Sequence, residues 1–268
     1  MDTLINDYLS LWSDPWFWQF PAATLGISFI AFMLFALPWT YLAYKEPSWL
    51  SPYRIQKQPI NVAGTFWPSI YHSLKNTLVV FIFLILLWPL IKRTGIHIGE
   101  LPSIWIIAIQ IVFFILLDDF LYYWMHRLFH ENKWLMRHVH SVHHRIKNTC
   151  AINGNYMHWF EFACTSGLIL IGPILLSSHL YVVWIWVIIR QFEAADGHMG
   201  YDVPWNPARL FLIYHGPVYH DFHHAKFKGN YAGFLSYLDA LLGKTHVKAY
   251  LDYKSKKKQG LTPEEIRQ

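Results

Sequence analysis

Charged side chains are scarce in this chain: Asp, Glu, Lys and Arg make up 15% of its 268 residues, against 54% hydrophobic. That balance argues against a soluble domain of this length. Cysteine is nearly missing. The two present, Cys150 and Cys164, fit no metal spacing and no disulfide framework, and give no sign of an oxidising compartment. The first 20 positions hold no Lys or Arg, so the opening M-D-T-L-I-N-D lacks the basic region of a cleaved signal peptide. No glycine fingerprint for a dinucleotide, no H-P-G-G-type haem segment and no cysteine set for an iron–sulfur cluster occurs. The H-E-x-x-H of a zinc peptidase is missing too, because His130-Glu131 continues as Asn132, Lys133 and Trp134. There is no internal repeat, and nothing points to nucleic acid.

What is abundant is aromatic and apolar. Fourteen Trp, 16 Tyr and 19 Phe suit a chain that meets lipid interfaces. Residues 21–43 carry no charge and are long enough, at about 1.5 Å per residue, to cross a hydrocarbon layer of about 30 Å. Pro38 is placed to kink the end of this span. Residues 44–75 read as a loop or surface helix. Residues 76–91 read as a second, short span, and 102–117 as a third that runs on toward a set of histidines. A second apolar block, 160–189, is interrupted at Gly172-Pro173 and at Ser177-Ser178-His179 and reads as a helical hairpin. Lys and Arg number none in 1–20, four in 44–75, two in 92–101, five in 125–159 and 11 in 190–268. By the positive-inside rule the N-terminus lies on the outer side and the histidines on the cytoplasmic side.

Those histidines fall in three clusters. His126 and His130 are four apart, and positions four apart share a helix face. His140, His143 and His144 repeat the pattern H-x2-H-H, and His220, His223 and His224 repeat it again. Eight neutral imidazoles exceed what one tetrahedral ion takes and suit two ions. Imidazole binds Fe, Zn, Cu and Ni, so ligand type alone does not choose the metal. A histidine-rich pH sensor and a zinc-binding membrane scaffold are the competing readings.

The order of motifs resembles the fatty acid hydroxylase/sterol desaturase superfamily of membrane non-haem diiron enzymes, most closely its C-4 methylsterol monooxygenase and sterol hydroxylase branch. Asp119 stands seven residues before His126-Arg127, and His130 completes that box. His138 to His144 is similar to the second box. Asn155 to Glu161 resembles E-Y-x-H-P-x-E, with Trp159 in place of proline. Glu193 to Pro204 resembles E-T-x-D-x-H-S-G-Y-D-x-P, with Ala194 and Met199 as departures. His220 to His224, Gly229-Asn230-Tyr231, Leu238-Asp239 and Gly243-Lys244-Thr245 follow the C-terminal pattern.

The resemblance implies an all-α, polytopic membrane bundle with a cytoplasmic histidine-rich cap. Residues 1–110 form an N-terminal transmembrane region, 111–250 a diiron domain and 251–268 a basic polar tail. It implies two iron ions held by His126, His130, His140, His143, His144, His198, His220, His223 and His224. His158, Asp119 and Glu193 are further candidates, for ligation or for orienting imidazole N–H groups. His72, His97, His138, His179, His215 and His246 are expected not to be ligands. The activity implied is hydroxylation of a sterol or related lipid with O2. Desaturation and alkylglycerol or fatty acyl hydroxylation occur in the same superfamily. Electrons are expected from a separate reductase through a cytochrome b5 or ferredoxin. The run Lys254–Lys258 reads either as a dock for an acidic carrier or anionic lipid or as a solvated, disordered end. An endoplasmic reticulum or a bacterial inner membrane would suit the chain.

Overall fold

The computed structural model describes residues 2–56, 58–210, 214, 216–242 and 244–258. His215 and tail residues 259–268 lie outside the described residues, as does the side chain of His246.

Helices follow the apolar runs. After α1 (Asp2–Leu9), Asp14 caps α2 (Pro15–Phe17) by accepting from the Trp16 N–H at 3.0 Å. The chain then widens into a π turn at Trp18–Ala22, where Pro21 removes a backbone donor, and continues as α3 (Ala23–Lys45). Next come α4 (Val62–Leu86), α5 (Trp88–Ile91), α6 (Ile104–Glu131) and α7 (Lys133–His138). The remainder is α8 (Trp159–Leu175), α9 (Leu180–Gly197), α10 (Pro217–Lys226), α11 (Tyr237–Leu242) and α12 (Lys244–Lys258). Among the described residues no strand forms, only isolated bridges such as His97 with His179.

Three of these helices are long and apolar enough to cross a membrane. With 23, 25 and 28 residues, α3, α4 and α6 measure roughly 35–42 Å, more than the hydrocarbon layer. Their outer faces show Ile30, Leu34, Leu78, Ile82, Ile109 and Val112 to the surroundings, as lipid-facing helices do. The fold is a helical membrane bundle.

The second span differs from its sequence expectation. It begins at Val62, not near residue 76, and stops at Leu86, after which Pro89 starts the separate α5. The stretch 62–75 reads as part of a loop or surface helix because it holds Pro68, Ser69, Ser73 and Lys75. Its polar side chains turn inward: Ser69 Oγ accepts from Asn153 Nδ2 at 3.0 Å, and about two turns on Asn76 Nδ2 donates to the Met157 carbonyl at 2.9 Å. The hairpin forms as α8 and α9, but its break is at 176–179, where Ser177 takes a positive φ of 45°. Gly172-Pro173 stays inside α8. A Cβ at Gly172 would stand 2.6 Å from the Phe114 ring, so the glycine lets α6 and α8 approach.

The connectivity puts the C-terminal ends of α3, α6 and α9 and the N-terminal ends of α4 and α8 at one end of the bundle. The other end is tied by Lys92 and Arg93, which pair with Asp7, while Lys92 also pairs with Asp14 at 2.7 Å. At the first end a 3-10 turn, Ala151–Asn155, is buried between α3, α4 and α9. Thr40 Oγ1 accepts from the Ile152 N–H at 3.0 Å, and Gly154 sits so close to the Ala194 carbonyl that a Cβ would reach 2.5 Å from it. α12 carries the basic run through Lys258 as helix rather than as a disordered end. Tyr250 and Tyr253 anchor it, their rings 5.9 and 5.4 Å from Phe222 of α10.

Candidate metal centre

Four segments bring histidines to the first end of the bundle. The last turns of α6 carry His126 and His130. Asn132 then ends α6 and caps α7, accepting from the Trp134 and Leu135 N–H groups at 2.9 and 3.0 Å. This reverses the chain into a 3-10 turn, His140–Arg145. His198 stands at the end of α9, and α10 carries His220, His223 and His224.

The side chains sort into two groups. His126, His130, His140, His144 and His223 form one, and His143, His198, His220 and His224 the other; within each, the ligand atoms lie within 4.8 Å of one another. Adjacent residues therefore part company: His143 joins one group and His144 the other, and on α10 His223 leaves His220 and His224. The groups abut, with the His144 and His224 rings 4.8 Å apart.

The protons can be placed by their partners. Nδ1 of His126 faces the Tyr231 carbonyl at 2.8 Å, that of His198 the Ala194 carbonyl at 2.8 Å and that of His223 the Gly229 carbonyl at 2.8 Å. His143 Nδ1 faces the Tyr156 carbonyl at 3.2 Å, and His140 Nδ1 faces Glu161 Oε1 at 2.7 Å. Each Nδ1 carries the hydrogen, so each Nε2 presents a bare lone pair. Yet the Nε2 atoms converge, at 2.8–3.2 Å in the first group and 2.9–3.3 Å in the second. Lone pairs at that spacing repel unless a cation lies between them. Nitrogens about 2.1 Å from one ion and at right angles to each other are about 3.0 Å apart, so the residues fit a metal ion in each group.

Burial keeps these imidazoles neutral and ready to ligate. It holds His140, His144, His220, His223 and His224 well below the usual histidine range, His143 at about 4 and His198 at about 3.

The other candidates go elsewhere. His158 lies outside both groups and caps α8, accepting from the Phe160 N–H at 3.2 Å. Among the described residues Asp119 bonds no imidazole. Its Oδ1 accepts three backbone N–H bonds, from Gly233, Phe234 and Leu235 at 3.1, 2.8 and 3.1 Å. Asp239 accepts from the Tyr231 and Ala232 N–H groups at 3.2 and 3.0 Å. Together the two aspartates fix the loop whose Tyr231 carbonyl orients His126. Glu193 pairs with Arg190, which also lies 3.2 Å from Asp118. His179 caps α9, His72 faces the Met157 carbonyl, and His97 and His138 stay outside both groups.

Glu161 is the orienting carboxylate that sequence reasoning passed over. It stands three residues after the cap His158, a spacing that reads as a helix start. An orienting partner of a ligating histidine is commonly worth 10–100-fold in metal affinity or activity. Glu161→Gln is expected to lower metal affinity about tenfold and Glu161→Ala toward a hundredfold. Metal per chain, measured after dialysis against graded chelator, checks this.

A cavity of about 50 Å³ lies beside the second group. His143, His198 and His220 line it on one side, and Tyr122, Phe162 and Glu193 elsewhere.

Comparison with known proteins finds a family and curated relatives. A family model described as fatty acid hydroxylase matches residues 111–244. Methylsterol monooxygenase 2-2 of Arabidopsis thaliana is 32% identical over 253 residues, covering 91% of this chain and 92% of that protein. Methylsterol monooxygenase 1-3 of the same plant is 32% identical, over 80% of this chain and 75% of that protein. Very-long-chain aldehyde decarbonylase GL1-11 of Oryza sativa subsp. indica is 35% identical over 178 residues. The match spans 65% of the decarbonylase's length and 65% of this chain. No solved structure matches the chain.

Proposed function

The chain belongs to the fatty acid hydroxylase family, and on that premise we propose that it is an integral-membrane oxygenase holding two iron ions, one in each histidine group, that hydroxylates a sterol or a closely related lipid. The observation that carries this reading is the convergence of nine imidazoles on two points, five of them with Nδ1 facing an acceptor and Nε2 facing inward. Two irons, when bound, supply the activation of O2 that an unactivated C–H bond requires.

The chain's own residues do the rest. Glu161 and the carbonyls of Tyr156, Ala194, Gly229 and Tyr231 hold imidazole N–H groups and so aim the Nε2 atoms. The cavity at His143, His198 and His220 receives the carbon to be oxidised. Phe162 and Ile169 of α8 line it as well, which brings a lipid chain or ring system in from the hairpin side. Only a small volume there remains for water. The histidines lie at the cytoplasmic end, as the distribution of Lys and Arg supports, and the N-terminus lies on the other side. The sterol choice draws on the two methylsterol monooxygenase likenesses. The rice decarbonylase likeness favours a second reading, in which a long-chain aldehyde is the substrate of the same centre.

Comparative lipid mass spectrometry under 18-O2, with wild type and a His143→Ala/His144→Ala variant in cells, tests these readings. One labelled oxygen in a sterol-fraction lipid, with wild type only, is the expected result. Label in an acyl or ether lipid, or a shortened hydrocarbon, would keep the centre and overturn the sterol. A product two mass units lighter and unlabelled would mean desaturation. No change in an iron-free but zinc-loaded protein would replace the enzyme by a zinc-binding scaffold.

A further inference from the structure

An oxygenase of this kind needs two electrons from outside, and the inference here rests on that reading. Phe227, just after α10, takes a left-handed conformation with φ of 58°, a position where a non-glycine side chain is uncommon. Its N–H closes the helix on the His223 carbonyl at 2.8 Å. The turn lays its ring 4.8 Å from the ring of His144, in the first metal group. The Lys147 ammonium stands 5.1 Å from the same ring. One aromatic side chain thus joins a ligating imidazole to a surface cation.

Phe227 lies between Lys226 and Lys228 in the chain. Those two neighbours, with Lys256, line a groove of about 370 Å³ between α10 and α12, with Asp252 as the acid in its lining and Phe222, Ala249 and Tyr253 as its apolar and aromatic walls. Lys147, Lys228 and Lys256 are exposed. A lipid headgroup would need the charge alone. The Phe227–His144 contact adds a short route inward that only an electron donor uses.

We propose that the surface formed by Lys147, Phe227 and the Lys226–Lys228–Lys256 groove docks an acidic one-electron carrier protein, with Phe227 as the point of electron transfer to the first histidine group. Two encounters with reduced carrier deliver two electrons. Together with two electrons from the C–H bond and two protons from water they reduce O2, one oxygen atom ending in the C–OH group and the other in water.

The test uses full-length wild type and a Lys147→Glu/Lys228→Glu variant in the same detergent or nanodiscs. Turnover is followed with an acidic plant-type ferredoxin and its reductase, and separately with dithionite, and binding of the ferredoxin to the metal-free chain is titrated directly, where the charge-reversed variant should bind on the order of tenfold more weakly. Reversing two charges on a docking face is expected to raise the ferredoxin concentration for half-maximal turnover on the order of tenfold, most at low salt. Dithionite-supported turnover should stay within about twofold of wild type. Phe227→Leu, which keeps the bulk, should lower the ferredoxin-supported maximum by more than it lowers the dithionite rate. Unaltered ferredoxin dependence in the charge-reversed variant would overturn the docking surface. So would an equal loss with both reductants, which would assign the lysines to folding or lipid contact. Absence of turnover in the wild type with either reductant would overturn the oxygenase reading itself, and this surface with it.

Discussion

His143→Ala and His144→Ala are expected to lose different metal ions. The two residues are neighbours on one 3-10 turn, yet His143 belongs to the four-histidine group and His144 to the five-histidine group. Each variant should retain one ion per chain where two are expected of wild type, and each should lose turnover by at least about a hundredfold, the upper range for disturbing even the partner of a ligand. Loading with cobalt(II) separates the cases. His143→Ala keeps the five-nitrogen group and should show the weak visible absorption of a five-coordinate ion. His144→Ala keeps the four-nitrogen group, whose nitrogens stand nearer to right angles than to tetrahedral ones, and should show a visible spectrum distinct from that of the five-nitrogen group. Equal loss of both ions in either variant would mean that the groups form a single site.

The second large effect concerns stability. Arg190 is buried between Asp118, 3.2 Å away, and Glu193, and its guanidinium lies 5.5 Å from the Tyr122 ring centre and 5.2 Å from that of Phe234. Removing one member of such a cluster leaves the others as uncompensated buried charges, at a cost of about 3–5 kcal/mol. Arg190→Met should therefore lower the midpoint of thermal unfolding by roughly 10 °C, at about 2–4 °C per kcal/mol for a chain of this size. Neutralising the whole cluster, as Asp118→Asn/Arg190→Met/Glu193→Gln, should restore much of the loss. Fluorescence-detected thermal unfolding in one detergent measures both. A shift below about 2 °C for Arg190→Met would show that the carboxyls already tolerate isolation.

The long apolar runs and the i, i+3, i+4 histidine spacing were legible without coordinates, because both are local periodicities. Three things were not. The inward polar face of 62–76 looks like a loop or surface helix until Asn153 and Met157 are seen to bond it. The division of nine histidines into five and four depends on how α6, the 3-10 turn, α9 and α10 cross, and spacing along the chain would have paired His143 with His144 and His223 with His224. The aspartates illustrate the third: Asp119 looked like a partner for an imidazole, and it acts one step removed, through backbone N–H groups that hold the Tyr231 carbonyl. Roles that pass through main-chain atoms leave no residue-type signal.

α6 runs unbroken from Ile104 to Glu131. Trp105 stands near one end, and Trp124 stands two residues before the first histidine, both exposed. Rings of this kind settle at the boundary between hydrocarbon and headgroups. The helix therefore works as a ruler that fixes the height of His126 and His130 above the lipid. His198 and His220 hang from other helices. Bilayer thickness is thus one of the coordinates of the site: a leaflet that tilts α6, at fractions of a kcal/mol per Å of mismatch, moves one side of the histidine assembly against the other.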